Sequence, residues 1–201
     1  MTPRRCNWVT DDEEYIRYHD QEWGKVEKDS QKLFEMLCLE GQQAGLSWYT
    51  ILKKRSGYRN CFYHFNPTKI VRMTQQDVDR LMQEPCIVRN RLKINAIITN
   101  AQAYLTMIQS GDDFSQFIWQ FVDGKTQVNH WQYPNEIPTN TDISNNLSRA
   151  LKKRGFKFVG NTICYAFMQA TGMVNDHLID CICRQKKTNN KKHYDIFNLI
   201  H

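Results

Sequence analysis

One carboxylate stands where a ligand could use it. Glu40 closes an apolar run in which Leu33, Phe34, Met36, Leu37 and Leu39 fall at helical spacing behind Ser30 as N-cap, and Trp48 follows eight residues later. Between them Gly41, Gln42, Gln43, Ala44, Gly45, Leu46 and Ser47 read as a break, with glycines that let backbone approach a ligand and a serine that can cap a second helix. The expected product is an acid facing an indole across a tight turn. Such a pair can accept hydrogen bonds from one side of a ring and offer a π face to the other. The same residues also fit a solvated helix end and a core tryptophan, and pattern alone leaves that choice open.

Two further constellations carry chemistry. His177 and Cys181 are four apart and, on a helix, would present one face to a metal, while Cys6 and His19 offer a second thiol and imidazole far away in sequence. Together they would make a closed Cys2His2 site, with Cys183 as a rival ligand. Four protein ligands leave no position for water, so a zinc there would tie the N-terminal segment to the C-terminal one rather than do chemistry. The third constellation is Lys152-Lys153-Arg154-Gly155-Phe156-Lys157-Phe158-Val159-Gly160. Gly155 can take the left-handed cap conformation, Gly160 can open the next helix, and the free N–H groups there, with Lys153 and Lys157 beside them, suit a phosphate. The alternative is an ordinary helix corner whose Phe156 and Phe158 pack inward.

The elements that must position these groups are helical. Ser47 caps a helix through Trp48, Ile51 and Leu52 that ends at Gly57; Asn66-Pro67 reads as an N-cap with proline at the first helical position; Thr74 to Asp77 resembles a capping box. Leu92, Ile94, Ile97, Ile98, Ala101, Tyr104, Leu105 and Ile108 form the longest stripe, and Phe114 to Val122 another. Helices then run from Asp142 to Arg154 and from Ile163 to Thr171, separated from the earlier ones by a proline- and asparagine-rich loop at 125–141. No stretch alternates as a strand. The expectation is an all-α chain, long enough for one good core or for two small lobes sharing a cleft, with Tyr15, Tyr18 and His19 on one face of an early helix.

Bulk composition narrows the function classes. With 201 residues, 41% apolar and 12% aromatic, the chain can bury a substantial core and is not a disordered linker. A net charge of +6, much of it in blocks, suits a polyanionic partner. Seven cysteines without scaffold spacing argue for a reducing compartment, and neither a signal-type h-region nor an apolar run of membrane-spanning length is present, so no membrane partner and a cytoplasmic location are expected.

From Cys6 to Cys183 the chain resembles the bacterial type I DNA-3-methyladenine glycosylases of the helix-hairpin-helix superfamily. The resemblance is carried by Cys6-Asn7-Trp8, Tyr18-His19-Asp20-Gln21-Glu22-Trp23-Gly24, Leu39 to Trp48, Lys152 to Gly160 and Asn175-Asp176-His177. It implies one two-lobed domain over 1–183 followed by a basic tail over 184–201. It implies a monomeric chain that binds double-stranded alkylated DNA across the cleft, flips out N3-methyladenine and hydrolyses its N-glycosidic bond, releasing free 3-methyladenine and leaving an abasic site. By the same resemblance Glu40 and Tyr18 contact the base edge as catalytic groups, Trp48 stacks on the base, and Trp8, Tyr15 and Trp23 complete the wall. Gln43 and Leu46 would plug the vacated space, Lys153, Gly155, Lys157 and Gly160 would hold phosphate, and Cys6, His19, His177 and Cys181 would bind one structural Zn2+. Thr162 stands where a bifunctional glycosylase-lyase carries its lysine nucleophile, so the activity is expected to be monofunctional. Two other classes stay open on the residues alone: a zinc-stapled helical protein that only binds DNA, and a zinc hydrolase with an open metal position.

Overall fold

The structure, a computed structural model, describes residues 4–185. Helix α1 (Glu13–Gln21) starts at Asp12, whose carboxylate accepts from the Tyr15 N–H, and ends with His19 in its last turn; Glu13 and Glu14 in the first turn complement the helix dipole. It buries Tyr15, Tyr18 and His19, the face predicted from their spacing.

Helix α2 (Ser30–Gln43) differs from expectation at both ends. Its cap is Asp29, which accepts from the Lys32 N–H, while Ser30 Oγ accepts from the Ser115 N–H at 3.1 Å. The helix also runs on through Glu40, Gly41, Gln42 and Gln43, so Glu40 lies inside it rather than leaving it. A helical Gly41 costs about 1 kcal/mol against alanine. Here the absent side chain is used by packing, since a Cβ would meet Phe158 Cβ at 3.1 Å. Gly41 therefore admits a protein neighbour, not a ligand; the turn itself falls at Ala44–Leu46, around Gly45 with φ +76°.

Ser47 caps α3 (Trp48–Cys61) as predicted, accepting from the Thr50 N–H. Gly57 does not end that helix. It sits inside, where any side chain would collide with the Cys86 carbonyl, so its role is close approach rather than termination. Asn66 caps the short α4 (Pro67–Ile70) with proline in the first turn, and Thr74 with Asp77 closes a capping box on α5 (Gln75–Leu81), both as predicted. The long stripe is α6 (Arg91–Gln109), followed by α7 (Phe114–Trp119).

The loop at 125–141 is not free of strand. Gln127–Val128 (β1) pairs in parallel with Val174–Asn175 (β2), joining Gln127 to Val174 and Val128 to Asn175. Two residues per strand are too few for alternation to show in sequence, and the chain remains essentially all helical. Next come α8 (Asp142–Lys153), capped by Thr141, and α9 (Asn161–Ala170), with Gly160 as N-cap; a short α10 (Ile182–Gln185) closes the described chain. The predicted basic tail lies, beyond Gln185, outside the described residues.

Buried apolar residues fall into two clusters. One is built on α2, α6, α7, α8 and α9 around Leu33, Phe34, Ile97, Phe114, Phe156 and Phe167; the other gathers Cys6, Tyr15, Tyr18, Trp23, Leu178, Cys181 and Cys183. Met36, Trp48 and Ile137 pack against both, so the seam between the clusters carries the indole already singled out. Among the described residues no helix is long and apolar enough to cross a membrane.

Candidate active site

Glu40, Trp48, Tyr18, Tyr15, Trp8, Trp23 and Gln43 line one cavity of about 530 Å³, a volume in the range of small-ligand sites. Sequence reading named all of them. Cys6, named as a metal ligand, also reaches the wall, and Asn7, Pro134, Ile137, Ala166, Gln169 and Leu178, which were not named as site residues, complete the lining. Asn7 lay within the Cys6-Asn7-Trp8 motif, and Ala166 and Gln169 share the three-residue spacing of one helix face; Pro134 and Ile137 belong to the 125–141 loop and carried no local signal. Leu46 does not line the cavity. It stands just past Gly45 on the turn, 41% exposed.

The ring wall is a set of tilted and edge-on contacts rather than a parallel stack. Trp8 meets Tyr15 and Trp23 with centroids at 5.1 Å in both cases, and Tyr18 lies 5.4 Å from Trp48. Behind Tyr18, Arg55 forms a forked ion pair with Glu22, the longer contact at 2.9 Å, and its guanidinium stands 6.0 Å from the Tyr18 ring. Burial, and after it the Glu40 carboxylate, raise the Tyr18 phenol well above its ordinary range, so it stays a neutral donor.

Glu40 is 3% exposed, and burial pushes its carboxyl up to about 8. Its Oε2 is buried without a hydrogen-bond partner, and so is Trp48 Nε1. Leaving a buried polar atom unpaired costs about 1–3 kcal/mol, so these two residues of one ring-lined cavity carry hydrogen-bonding capacity that the fold does not use. A planar molecule with hydrogen-bonding edges and a positive charge would satisfy both the acid and the rings.

Packed against Trp8 and Trp23 lies the thiol–imidazole cluster. Cys6, His19, His177 and Cys181 are all buried, with one ligand atom from each lying within 4.8 Å of the others. Cys181 Sγ stands 3.5 Å from both His19 Nε2 and His177 Nδ1, and Cys6 Sγ 3.7 Å from His177 Nδ1. A tetrahedral metal with thiolate and imidazole ligands holds sulfur and nitrogen about 3.6 Å apart, so the donor set fits. The outer nitrogens are also committed: His19 Nδ1 pairs with Asp20 Oδ1 at 2.7 Å, and His177 Nε2 with the Trp23 carbonyl at 3.2 Å. Arg5 grips Asp20 with two nitrogens and holds its carboxyl down to about 2. Such partners fix which nitrogen each imidazole turns to a metal. Hydrogen bonds from Cys183 first, then Cys6, push the Cys181 thiol far below the usual range, toward the ligating thiolate.

One expectation fails here. His177 and Cys181 are not on a helix; His177 lies in irregular backbone just past β2, and a turn from Leu178, with Cys181 N–H donating to its carbonyl at 2.9 Å, brings Cys181 back. Cys183 faces the other edge of His19, 3.8 Å from Nδ1 and 3.7 Å from Asp20 Oδ1, outside the four-donor set. Asp176 is structural: it accepts from Asn129, Trp131, Tyr165 and Gln169 at 2.6–2.9 Å and ties β2 to α9 and the 125–141 loop.

The hairpin between α8 and α9 has Lys153, Gly155 and Lys157 exposed, Gly155 at φ +91°, and no side chain capping α9. Phe156 is buried against Phe114, as the corner reading required, while Phe158 is half buried, with its Cβ over Gly41. The corner reading holds for Phe156 and only in part for Phe158, and the inward Phe156 leaves Lys153 and Lys157 on the outer edge.

One family profile and three known relatives share this sequence and geometry. The family profile described as methyladenine glycosylase matches residues 8–185. The DNA-3-methyladenine glycosylase 1 of Escherichia coli (strain K12) is 60% identical over 179 residues, covering 89% of this chain and 96% of that protein. A crystal structure of 3-methyladenine DNA glycosylase I superposes with a TM-score of 0.89 at 58% identity, covering 90% of this chain and 99% of that one. The Staphylococcus aureus 3-methyladenine DNA glycosylase I, studied for its 3-methyladenine recognition, gives a TM-score of 0.87 at 43% identity, with 90% and 96% coverage. A buried acid and indole left unpaired inside a wall of rings, on a chain matched nearly end to end by such relatives, lead to one conclusion: this chain belongs to the methyladenine glycosylase family.

Proposed function

We propose that this protein is a monofunctional DNA-3-methyladenine glycosylase that acts in the bacterial cytoplasm as a monomer. It extrudes N3-methyladenine from alkylated duplex DNA and hydrolyses its N-glycosidic bond. The observation that carries the reading is the unpartnered Glu40 carboxyl beside the unpartnered Trp48 indole N–H in a ring-lined cavity.

The chemistry asks little of the protein. Methylation makes the base cationic, so when the bond from the sugar carbon to the base nitrogen breaks, its electron pair neutralises the leaving base. Water then adds to the sugar cation and loses a proton, giving an abasic site and free 3-methyladenine. Extrusion costs a few kcal/mol, and the rings repay it by stacking on the base. In the free protein the buried Glu40 is largely protonated at neutral pH. The arriving cation favours the ionised form, and the pair then forms at a buried carboxyl, where it is worth more than at the surface. Tyr18, held neutral, donates to the base edge; Trp48 stacks; Trp8, Tyr15 and Trp23 form the remaining wall. Gln43 and Leu46 fill the gap left in the duplex, and Thr162 offers no amine for lyase chemistry.

The helix-hairpin-helix reading of α8–α9 assigns phosphate contact to Lys153, Lys157 and the N–H groups around Gly155 and Gly160. The two buried clusters become the two lobes of one domain, with DNA across the seam. Cys6, His19, His177 and Cys181 hold one Zn2+, which would supply cross-linking and no catalysis, because all four positions are protein. His19 and His177 pack edge-on at 5.2 Å to Trp8 and 4.6 Å to Trp23, so the staple also sets the pose of the ring wall.

The direct test is chromatography of bases released from methylated duplex by the purified protein: N3-methyladenine is expected, without strand cleavage. Binding to the duplex with no released base would favour a DNA-binding protein without catalysis. A second expectation concerns the hairpin. Exchanging both Lys153 and Lys157 for alanine should weaken duplex binding irrespective of sequence and lower the slope of log K against log salt by about 2, leaving free-base affinity unchanged. An unaltered salt slope in titrations over a range of salt concentrations would remove the hairpin from the phosphate interface.

A further inference from the structure

Two buried polar side chains of α6 are used by neither the cavity nor the hairpin surface, yet each holds one of them. Lys93, 6% exposed in the first turn of α6, points its Nζ at the end of α2, donating to the Gln42 and Ala44 carbonyls at 2.7 Å each. Gln42 returns the contact, its Nε2 donating to the Lys93 carbonyl at 3.0 Å while its Oε1 accepts from Tyr58 at 3.1 Å. The carbonyl end of a helix carries partial negative charge, and a cation there both caps and neutralises it. What Lys93 fixes is the segment carrying Gln43, Gly45 and Leu46, just beyond Glu40.

Asn100, 2% exposed, does the same for the hairpin. Its Oδ1 accepts from the Lys157 N–H at 2.7 Å and its Nδ2 donates to the Lys157 carbonyl at 3.2 Å, so one amide side chain grips both backbone groups of one hairpin residue. Seven residues of helix place Lys93 and Asn100 about 10.5 Å apart along the axis and within about 20° of one face. The Gly41–Phe158 contact closes the triangle from the other side.

We propose that α6 is a gauge: Lys93 and Asn100 are positioning residues that hold the Leu46 turn and the phosphate hairpin at one fixed separation, so that phosphate contact and base extrusion occur together. The inference rests on the glycosylase reading above. A duplex engaged at two points tolerates little drift between them, and a misplacement of about 1 Å at such a site can cost about 100-fold in rate. Neither residue needs to touch DNA.

Lys93→Met and Asn100→Leu keep side-chain volume while removing the clamps. The expected result is retained folding by circular dichroism and free 3-methyladenine affinity within about twofold of wild type by calorimetry, with single-turnover excision from methylated duplex reduced about 10- to 100-fold. Lys93→Met should act mainly on the saturated rate, through the turn, and Asn100→Leu mainly on the half-saturating duplex concentration, through the hairpin. Excision at wild-type rate by either folded variant would overturn the gauge. So would a parallel loss of free-base affinity, which marks a merely structural role. If Lys93→Met does not fold, Asn100→Leu and the milder Lys93→Gln decide the matter by the same readouts. A wild-type protein that releases no base would instead overturn the glycosylase reading itself.

Discussion

Cys6→Ser and His177→Ala are each expected to lose bound metal and to unfold about 10 °C or more below wild type, with activity falling only as the folded fraction falls. Structural zinc supplies on the order of 10 kcal/mol in small domains, and each kcal/mol moves Tm by about 2–4 °C in a chain of this length. The full metal energy will not appear in Tm, because the helical core stands without it. The local loss should be large nonetheless, since Cys6 joins a segment with little helix of its own to the turn carrying His177 and Cys181. Metal analysis and calorimetry on the same samples check this. Cys183→Ser is the control: its sulfur lies toward the Asp20 edge of His19, so that variant should keep one metal per chain. A Cys6→Ser protein with normal metal content and normal Tm would dissolve the staple. One that keeps its Tm but has no turnover would point to an open, catalytic metal.

Glu40→Gln is expected to make the protein slower and, above neutral pH, more stable. The slowing follows from losing the one acid among the described residues that line the cavity: about 100-fold or more in single-turnover release of N3-methyladenine, with poorer discrimination against unmethylated adenine. The stability follows from burial. The folded carboxyl sits near 8 and the unfolded one at its ordinary 4.5. Between those values the folded chain holds a proton that the unfolded chain has released. Stability assigned to protonated Glu40 is therefore complete below about 4.5 and is lost as pH rises through about 8. The uncharged amide of the variant has no such loss. The Tm difference between the variant and wild type should be near zero at pH 5 and grow to about 5–10 °C in favour of the variant by pH 8, somewhat below the full linkage value because water reaching a mobile carboxyl softens the penalty. A pH series of melts with parallel single-turnover assays would show both. Unchanged rate and base preference, or a flat Tm difference, would mean that Glu40 faces water and plays no part in the site.

These two results would also show a trade familiar in enzymes, in which groups poised for a ligand are held at a cost to the fold. Here the unpaired Glu40 oxygen and Trp48 nitrogen are the cost, and the rings, with His19 and His177 packed edge-on against Trp8 and Trp23, shape the cavity around them.

How much of this was legible beforehand depends on the range of the interaction concerned. Ser47, Asn66 and Thr74 cap their helices where the sequence places them, because a capping bond spans only two or three residues. The helical face of Tyr15, Tyr18 and His19, the left-handed Gly155 and the donor identities of Cys6, His19, His177 and Cys181 were readable for the same reason: they are properties of residue type and near spacing. Where the structure departs, a distant partner has outvoted the local pattern. α2 continues through Gly41 because Phe158 and Lys93 reward the extra turn; Gly57 stays helical because Cys86 needs its space; His177 and Cys181 converge through a turn because Ile179 donates to the Trp131 carbonyl and Ile182 to that of Arg4. The cavity wall at Pro134 and Ile137, the Arg55–Glu22 pair and the α6 clamps were silent in sequence. Local hydrogen bonding and residue chemistry determined which groups this chain can bring to a ligand. Only close packing between elements far apart in the chain, whose partners no short window contains, decided that those groups meet in one cavity and at what separation.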